Sequence, residues 1–390
     1  MSEYFPSEAT HGNTALVKDH ILNRQINPEY IPKSQKNKER KELHSIIAIG
    51  DPIVDISSEI DSETIKKHNL KWGDTVFLDE NSNDTGVFDD LESMPEVKYI
   101  PGGSVQNTLR VASWCLNMEP NNRNKFKLTM LGCVGEDMYK MKILNALRDA
   151  NVNPLLQTLE NEKTSRCGAG IYKKERLLIT QLRASKKLSE DFIDQNLEQI
   201  LSHEVLIIEG YILQSKLKIC QKLCQSFNRE KKLVVLTLSA IFMIQFHKEK
   251  IIDIANKSDI IIGNYAEAQE LAEEKGNNTR IIFENIFKKL VPRDRLLVIT
   301  CGANGVYCSK YDYKRNQLDF LLQYYTKKIK NEEIVYLNGA GDSFLGGFIS
   351  EYIKGSPLYE CCKVGNDAAN VILHNVGCTF PNNVKLDSLN

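Results

Sequence analysis

Residues 204–239 read EVLIIEGYILQSKLKICQKLCQSFNREKKLVVLTLS, and this stretch decides the fold. The apolar run VLII is too short for a helix and soon meets a glycine, as a buried strand does. SKLKICQKLCQSFNRE then follows with helical amphipathicity, and KLVVLTLS is a second apolar run. Strand, crossover helix and strand make a parallel pair. The same alternation extends outward in both directions. KLTMLGCVG precedes the helical DMYKMKILNALRDANV, and a helical stretch surrounds QFHKEKIIDIANK. SDIIIGN precedes AEAQELAEEKG, and RLLVITCG follows a helix containing IFENIFKKLV. The pattern predicts an α/β protein, a mostly parallel central sheet flanked by helices on both faces. Ligands on such sheets bind at the carboxyl ends of the strands.

The first strand of this sheet is expected at Ser45-Ile-Ile-Ala-Ile-Gly50, and one domain over 45–390. Residues 1–44 contain the charge-rich SQKNKERKELH and no sustained hydrophobic period, so they read as a polar leader, either a mobile tail or a surface strap. Two segments, near 50–80 and 165–183, read as strands and turns without matching helices. They predict a small separate β-rich sheet, serving either as a lid over the site or as a plain β-insertion.

Lys and Arg total 50 against 51 Asp and Glu, a net charge of −1. That balance lacks the basic field that nucleic acid requires. No apolar run approaches the roughly 18 residues of a membrane span, and MSEYFPSEATHG has no apolar signal core. A cytoplasmic protein without membrane or nucleic-acid partners is the expectation. The ten cysteines include no CxxC and several lie in apolar segments, which reads as buried thiols. Cys220 and Cys224 share a helical face with no second ligand pair, so zinc is not expected. The seven histidines show no metal spacing, and neither GxSxG nor GxxxxGK[ST] occurs.

Chemistry concentrates in Asn338-Gly-Ala-Gly-Asp-Ser-Phe-Leu-Gly-Gly-Phe348. The loop Gly339-Ala340-Gly341 stands at the start of a helix-like segment that ends near Gly355. Unpaired N–H groups and the positive dipole end face the same space there, and small residues let a phosphate approach the backbone. Asp342 lies within a turn of that anion site, where a carboxylate can take a proton from an attacking hydroxyl. An acidic first-turn residue after a tight turn accounts for the same letters.

NGAGDSF–GGF resembles the carboxyl-terminal signature of the PfkB/ribokinase-like carbohydrate kinases, and Pro101-Gly-Gly-Ser-Val-Gln-Asn107 resembles their amino-terminal glycine pair. GDPIVDIS (50–57), GGSVQNTLRVASW (102–114), GCVGEDMYK (132–140), TLSAIFMIQF (237–246), GNYAEAQEL (263–271) and GCTFP (377–381) narrow the resemblance to the adenosine kinases. The match runs in order from about Ile46 to Pro381.

The resemblance implies a ribokinase-like fold and transfer of the ATP γ-phosphoryl to the 5′-hydroxyl of adenosine, giving AMP and ADP. It implies Asp342 as base, Gly339, Ala340 and Gly341 as the anion hole, and Arg176 as the lid arginine that meets the transferring phosphoryl. Arg176 reads equally as a solvated arginine among Lys173, Lys174 and Glu175. Asn264 and Glu267 resemble the NxxE element that organises Mg²⁺, usually through water, and they also have the form of a helix capping box. Thr300, Gly302 and Gly305 resemble the TxGxxG turn beside ATP, and Asn366 is expected near the donor's adenine.

For the acceptor, the resemblance implies Asp51, Asp55, Gly103 and Asn107 as nucleoside or ribose contacts and Ser104 near the base edge. Phe77, Leu178, Thr180, Leu182 and Ile212 are expected to form an apolar slot, though core packing explains most of them equally. Relatives usually carry Asn where this chain has Asp51, and Asp-Thr where it has Tyr336-Leu337, so potassium activation is not assumed. Arg166 and Arg183 add charge near the entrance. A monomer is implied, with ATP as co-substrate. A kinase for another nucleoside or a sugar, and a catalytically silent nucleoside-binding homologue, are the alternatives.

Overall fold

The computed structural model describes residues 3–5, 40–60, 62–70, 75–78, 86–118, 125–172, 175–326, 329–330, 332–335, 337–375 and 377–380. Strands among them are numbered in chain order: β1 (Glu3–Phe5), β2 (Ser45–Ile49), β3 (Ile53–Glu59), β4 (Thr75–Leu78) and β5 (Lys98–Gly102). Then come β6 (Lys127–Gly135), β7 (Val152–Leu159), β8 (Ser165–Tyr172), β9 (Glu175–Gln181) and β10 (Val205–Glu209). The last are β11 (Leu233–Thr237), β12 (Ile260–Asn264), β13 (Leu296–Thr300), β14 (Val306–Asp312) and β15 (Gln317–Tyr324).

Nine strands form one sheet in the order β15-β14-β13-β12-β11-β10-β2-β6-β7. β7 through β13 pair in parallel, and β14 and β15 close one edge antiparallel. Side chains of successive residues alternate between its faces. Ile46, Ala48, Val205 and Ile207 point to one core, together with the helices Ser104–Asn117 and Ala340–Ile353. Ile47, Ile49, Leu206 and Ile208 point to the other, packed by Leu213–Arg229, Ile241–Lys257 and Thr279–Lys289. Both faces are covered, and that is why the strands read as unbroken apolar runs.

The second sheet has six strands in the order β1-β4-β9-β8-β3-β5. The helix Gly86–Ser93 packs Phe88 and Leu91 against it, close enough that a Cβ on Gly168 would lie 2.6 Å from Leu91. Segment 50–80 was expected to lack helix, yet Ser62–Lys67 is one, anchored by buried Ile65. Its six residues leave too little room for an apolar period to show in the sequence. Of the leader, β1 pairs antiparallel with β4, and the Leu43 N–H donates to the Ile353 carbonyl at 2.8 Å. The Arg40 guanidinium lies 4.0 Å from the Tyr352 ring centroid. The rest of the leader up to residue 39 lies outside the described residues. All ten cysteines are thiols, and eight are buried. Among the described residues no helix is long and apolar enough to cross a membrane.

Candidate active site

The carboxyl ends of β2, β10, β12 and β13 line one edge of the large sheet, and the small sheet stands over the β2 side. Two short connections carry the chain between the sheets here. One is Gly50-Asp51-Pro52, between β2 and β3. Another is Gly103, between β5 and the Ser104–Asn117 helix. Gly103 has φ +98°, and a Cβ there would collide with the Asp51 carbonyl oxygen. Only glycine makes this turn without strain.

Asp342 occupies the first turn of Ala340–Ile353, with Gly339 as N-cap at φ +83°. Its carboxylate is clamped from the facing helix. Ser104 Oγ donates to Oδ1 at 2.7 Å, and Asn107 Nδ2 donates to Oδ2 at 3.0 Å. Thr108 Oγ1 also donates to the Asp342 carbonyl at 3.3 Å. Burial raises the Asp342 pKa, while the Asn107 and Ser104 hydrogen bonds pull it back. The Ala340 N–H turns to the Leu337 carbonyl at 3.3 Å. Gly341 is exposed, with open space where a Cβ would stand. A first-turn N–H beside such space is available to an anion.

Asp55 faces this pair from β3. Burial and the nearby Asp342 charge push its pKa up to about 7. A Cβ on Gly102 would lie 2.5 Å from Asp55 Oδ2, so glycine at 102 makes room for the carboxyl. Strand register puts Asp55, Cys167, Thr180 and Phe77 in one row across the small sheet. Leu178 and buried Leu182 share the parity of Thr180. The Phe77 ring lies 5.5 Å from Phe242, which lies 5.9 Å from Tyr211. These rings bridge the two sheets. Ile212, by contrast, is buried in the large-sheet core. Phe242 and Tyr211 were not singled out from the sequence, because an isolated aromatic in an apolar segment reads as core.

Asp51 is buried, and its N–H donates to Glu209 Oε1 at 2.7 Å. Burial raises its pKa, opposed by a Ser185 hydrogen bond and by Lys216 and Lys186. Among the described residues its Oδ1 has no hydrogen-bond partner. Glu209, also missed, ends β10; a charge that closes an all-apolar strand was the available signal.

On the other flank, Asn264 ends β12 beside Thr300 of β13. The capping box is formed: Asn264 Nδ2 donates to Glu267 Oε1 at 2.7 Å, the Asn264 N–H to Oε2 at 3.0 Å, and the Glu267 N–H to Asn264 Oδ1 at 2.9 Å. Burial pushes Glu267 up to about 7. Its oxygens are thus engaged, while Asn264 is exposed; such a pair suits a hydrated Mg²⁺ met through water better than a direct ligand set. Among the described residues no group of three or more His, Cys, Asp or Glu could hold a metal. Tyr211 feels the charges of Glu267, Asp342 and Glu209, which raise its pKa after burial does, so the two flanks meet there.

Gly302 has φ +52° with open space around it, whereas a Cβ on Gly305 would collide with the Tyr324 carbonyl. Asn366 is buried and donates to Thr326 Oγ1. Arg176 lies in β9, but its side chain, with Lys173 and Lys174, falls outside the described residues, as does Tyr336. Arg166 turns inward, bonding Gln181 Oε1 at 3.2 Å and stacking 3.8 Å from the Phe88 ring centroid, so it does not stand at the entrance.

The sequence pattern of pfkB family carbohydrate kinases matches residues 66–385. The chain is 28% identical over 345 residues to adenosine kinase 2 of Arabidopsis thaliana, covering 86% of this chain and 95% of the relative. It is 27% identical to the adenosine kinase of Saccharomyces cerevisiae, covering 86% and 96%. Anopheles gambiae adenosine kinase, solved with a di(adenosine) tetraphosphate, superposes with a TM-score of 0.74 at 25% identity, covering 88% of this chain and 99% of that one. Trypanosoma brucei brucei adenosine kinase gives 0.75 at 25% identity, covering 86% and 100%. Nine strands in ribokinase-like order, a glycine-capped helix presenting an aspartate and a match over most of its length lead to one conclusion: this chain belongs to the pfkB family of carbohydrate kinases.

Proposed function

We propose that this chain is an adenosine kinase, moving the γ-phosphoryl of ATP to the 5′-hydroxyl of adenosine and releasing AMP and ADP. The observation that carries the reading is the Asp342 carboxylate, held by Ser104 and Asn107 at a helix N-terminus and facing Asp55 on the second sheet. The relatives named for adenosine support the choice of acceptor.

Asp55 receives the ribose hydroxyls, with Gly103 supplying a close backbone and Asn107 a buried Oδ1 that has no partner among the described residues. A nucleoside hydroxyl satisfies that oxygen, whose desolvation otherwise stands uncompensated. Phe77 and Phe242, with Leu178, Thr180 and Leu182, give the base an apolar slot. Asp342 takes the 5′-hydroxyl proton while the Gly341 N–H at the head of the same helix stabilises charge on the moving phosphoryl. Mg²⁺ arriving with ATP neutralises phosphate charge, and Asn264 and Glu267 would hold it through water. Thr300, Gly302, Gly305 and Asn366 serve the nucleotide side. The small sheet acts as the lid that excludes water, bringing Arg176 toward the phosphoryl. Alignment and electrostatics supply most of the acceleration, and the base about 10²–10⁴-fold.

The test is ADP release with adenosine, inosine, guanosine, cytidine, ribose and fructose 6-phosphate as acceptors. Adenosine should be preferred by kcat/KM. Preference for a free sugar, or binding without turnover, overturns the reading.

A further inference from the structure

Among the buried carboxyls at this edge, Glu209 has no part in the chemistry above, yet its contacts reach both halves of the site. It is 1% exposed and ends β10, between the strands that carry the acceptor loop and the aromatic bridge. Its two oxygens accept from two different segments. Oε1 takes the Asp51 N–H at 2.7 Å, and Oε2 takes the Val105 N–H at 3.2 Å. The first is the passage from the large sheet to β3, which carries Asp55. The second is the opening turn of the helix whose Ser104 and Asn107 hold both oxygens of Asp342. Glycine at 50 makes space for this carboxyl: a Cβ there would lie 2.6 Å from Glu209 Cδ and 2.7 Å from Oε2.

We propose that Glu209 is a positioning residue, a buried brace that ties the Asp51 passage to the first turn of the Ser104–Asn117 helix and thereby sets where the Asp342 carboxylate meets the acceptor hydroxyl. It touches no substrate. An N–H pair at the sheet's carboxyl edge must be satisfied within the protein, and the two oxygens of one carboxyl group do so for both. Because each N–H belongs to a different wall of the acceptor site, loss of the brace lets the walls drift independently. Misplacement by about 1 Å costs up to ~10²-fold in rate. The inference rests on the kinase reading above.

The experiment compares wild type and Glu209→Gln, which keeps size but sets an NH₂ against one of the two N–H donors. Each is assayed with the acceptor that wild type phosphorylates best. In folded Glu209→Gln protein, kcat should fall about ten- to a hundredfold and the acceptor KM should rise, with the KM for ATP unchanged. In an Asp342→Asn background the same change should have little further effect on the residual rate, since both act on one group. Unchanged kcat, an equal fall on both backgrounds, or a matched rise in both KM values overturns the inference. If Glu209→Gln does not fold, Glu209→Asp, which keeps the carboxyl group and loses the reach, carries the same comparison. A wild type that phosphorylates none of the acceptors overturns the kinase reading instead.

Discussion

Asn107 gives its amide to Asp342 Oδ2 at 3.0 Å and keeps its own Oδ1 buried, without a partner among the described residues. On the proposed mechanism, one side chain holds the base and offers an acceptor to the group on which the base acts, so that proximity and proton transfer share one helix turn.

Replacing Asp342 by Asn should leave the Ser104 contact in reach and remove the proton acceptor. We expect kcat to fall about 10²–10⁴-fold with adenosine affinity within a few fold. Steady-state kinetics with calorimetric binding separates the two; near-normal turnover would contradict the assignment of the base.

Removing Asn107 should act on both quantities. Asn107→Leu leaves Asp342 with one of its two side-chain donors and deprives the ribose of an acceptor. Adenosine KM and kcat should both worsen, each by about tenfold or more, a hydrogen bond to a charged group contributing about 1.5–3 kcal/mol. A change confined to KM would mean that Asn107 does not orient the base.

Acid should switch the enzyme off at unusually high pH. Burial raises Asp342 above the usual carboxylate range and pushes Asp55 up to about 7, so the ionised ribose-binding carboxylate is lost as pH falls through the neutral region. The kcat/KM profile should show an acid limb there. Asp55→Asn removes the group that titrates there, so the limb near neutrality should be lost although the rate is smaller.

Stability should respond in the opposite sense. Asp55 ionises at 3.8 when unfolded and at about 7 when folded, so the folded state holds the proton more tightly. Its contribution is complete below the unfolded value and is lost as pH rises through the folded one. Asp55→Asn should therefore raise Tm relative to wild type at pH 8 and not at pH 3, as differential scanning fluorimetry would show. Equal Tm differences at both values would contradict the raised pKa.

The two glycines after β13 should separate packing from function. Gly305→Ala drives a methyl into the Tyr324 carbonyl and should lower Tm sharply. Gly302→Ala meets only open space, so its cost is the left-handed backbone, about 1–2 kcal/mol. A rise in ATP KM at Gly302→Ala larger than its loss of stability would place the nucleotide there.

The parallel sheet was legible because burial on both faces makes β6, β10, β11, β12 and β13 continuous apolar runs beside glycines or polar breaks. The antiparallel β14 and β15 escaped it. VYCSKYD and QLDFLLQY carry charges among their apolar residues, as an edge with a half-exposed strand does. At the site, Asp342 with its glycines was readable because a loop-to-helix junction is written in adjacent letters. Glu209 and Phe242 were not, since their meaning lies in which distant backbone or ring stands opposite.

The small sheet is drawn from stretches that do not adjoin. Chain passes between it and the large sheet five times: between β1 and β2, at 50–52, after Gly103, at 160–164 and just after Gln181. No contiguous gene fragment encodes it alone, because the interval from 3 to 181 brings β2, β6 and β7 of the large sheet along. A single protease nick in any one of the passages leaves the two sheets sewn together by the others, so cleavage there should leave the halves co-purifying under native conditions.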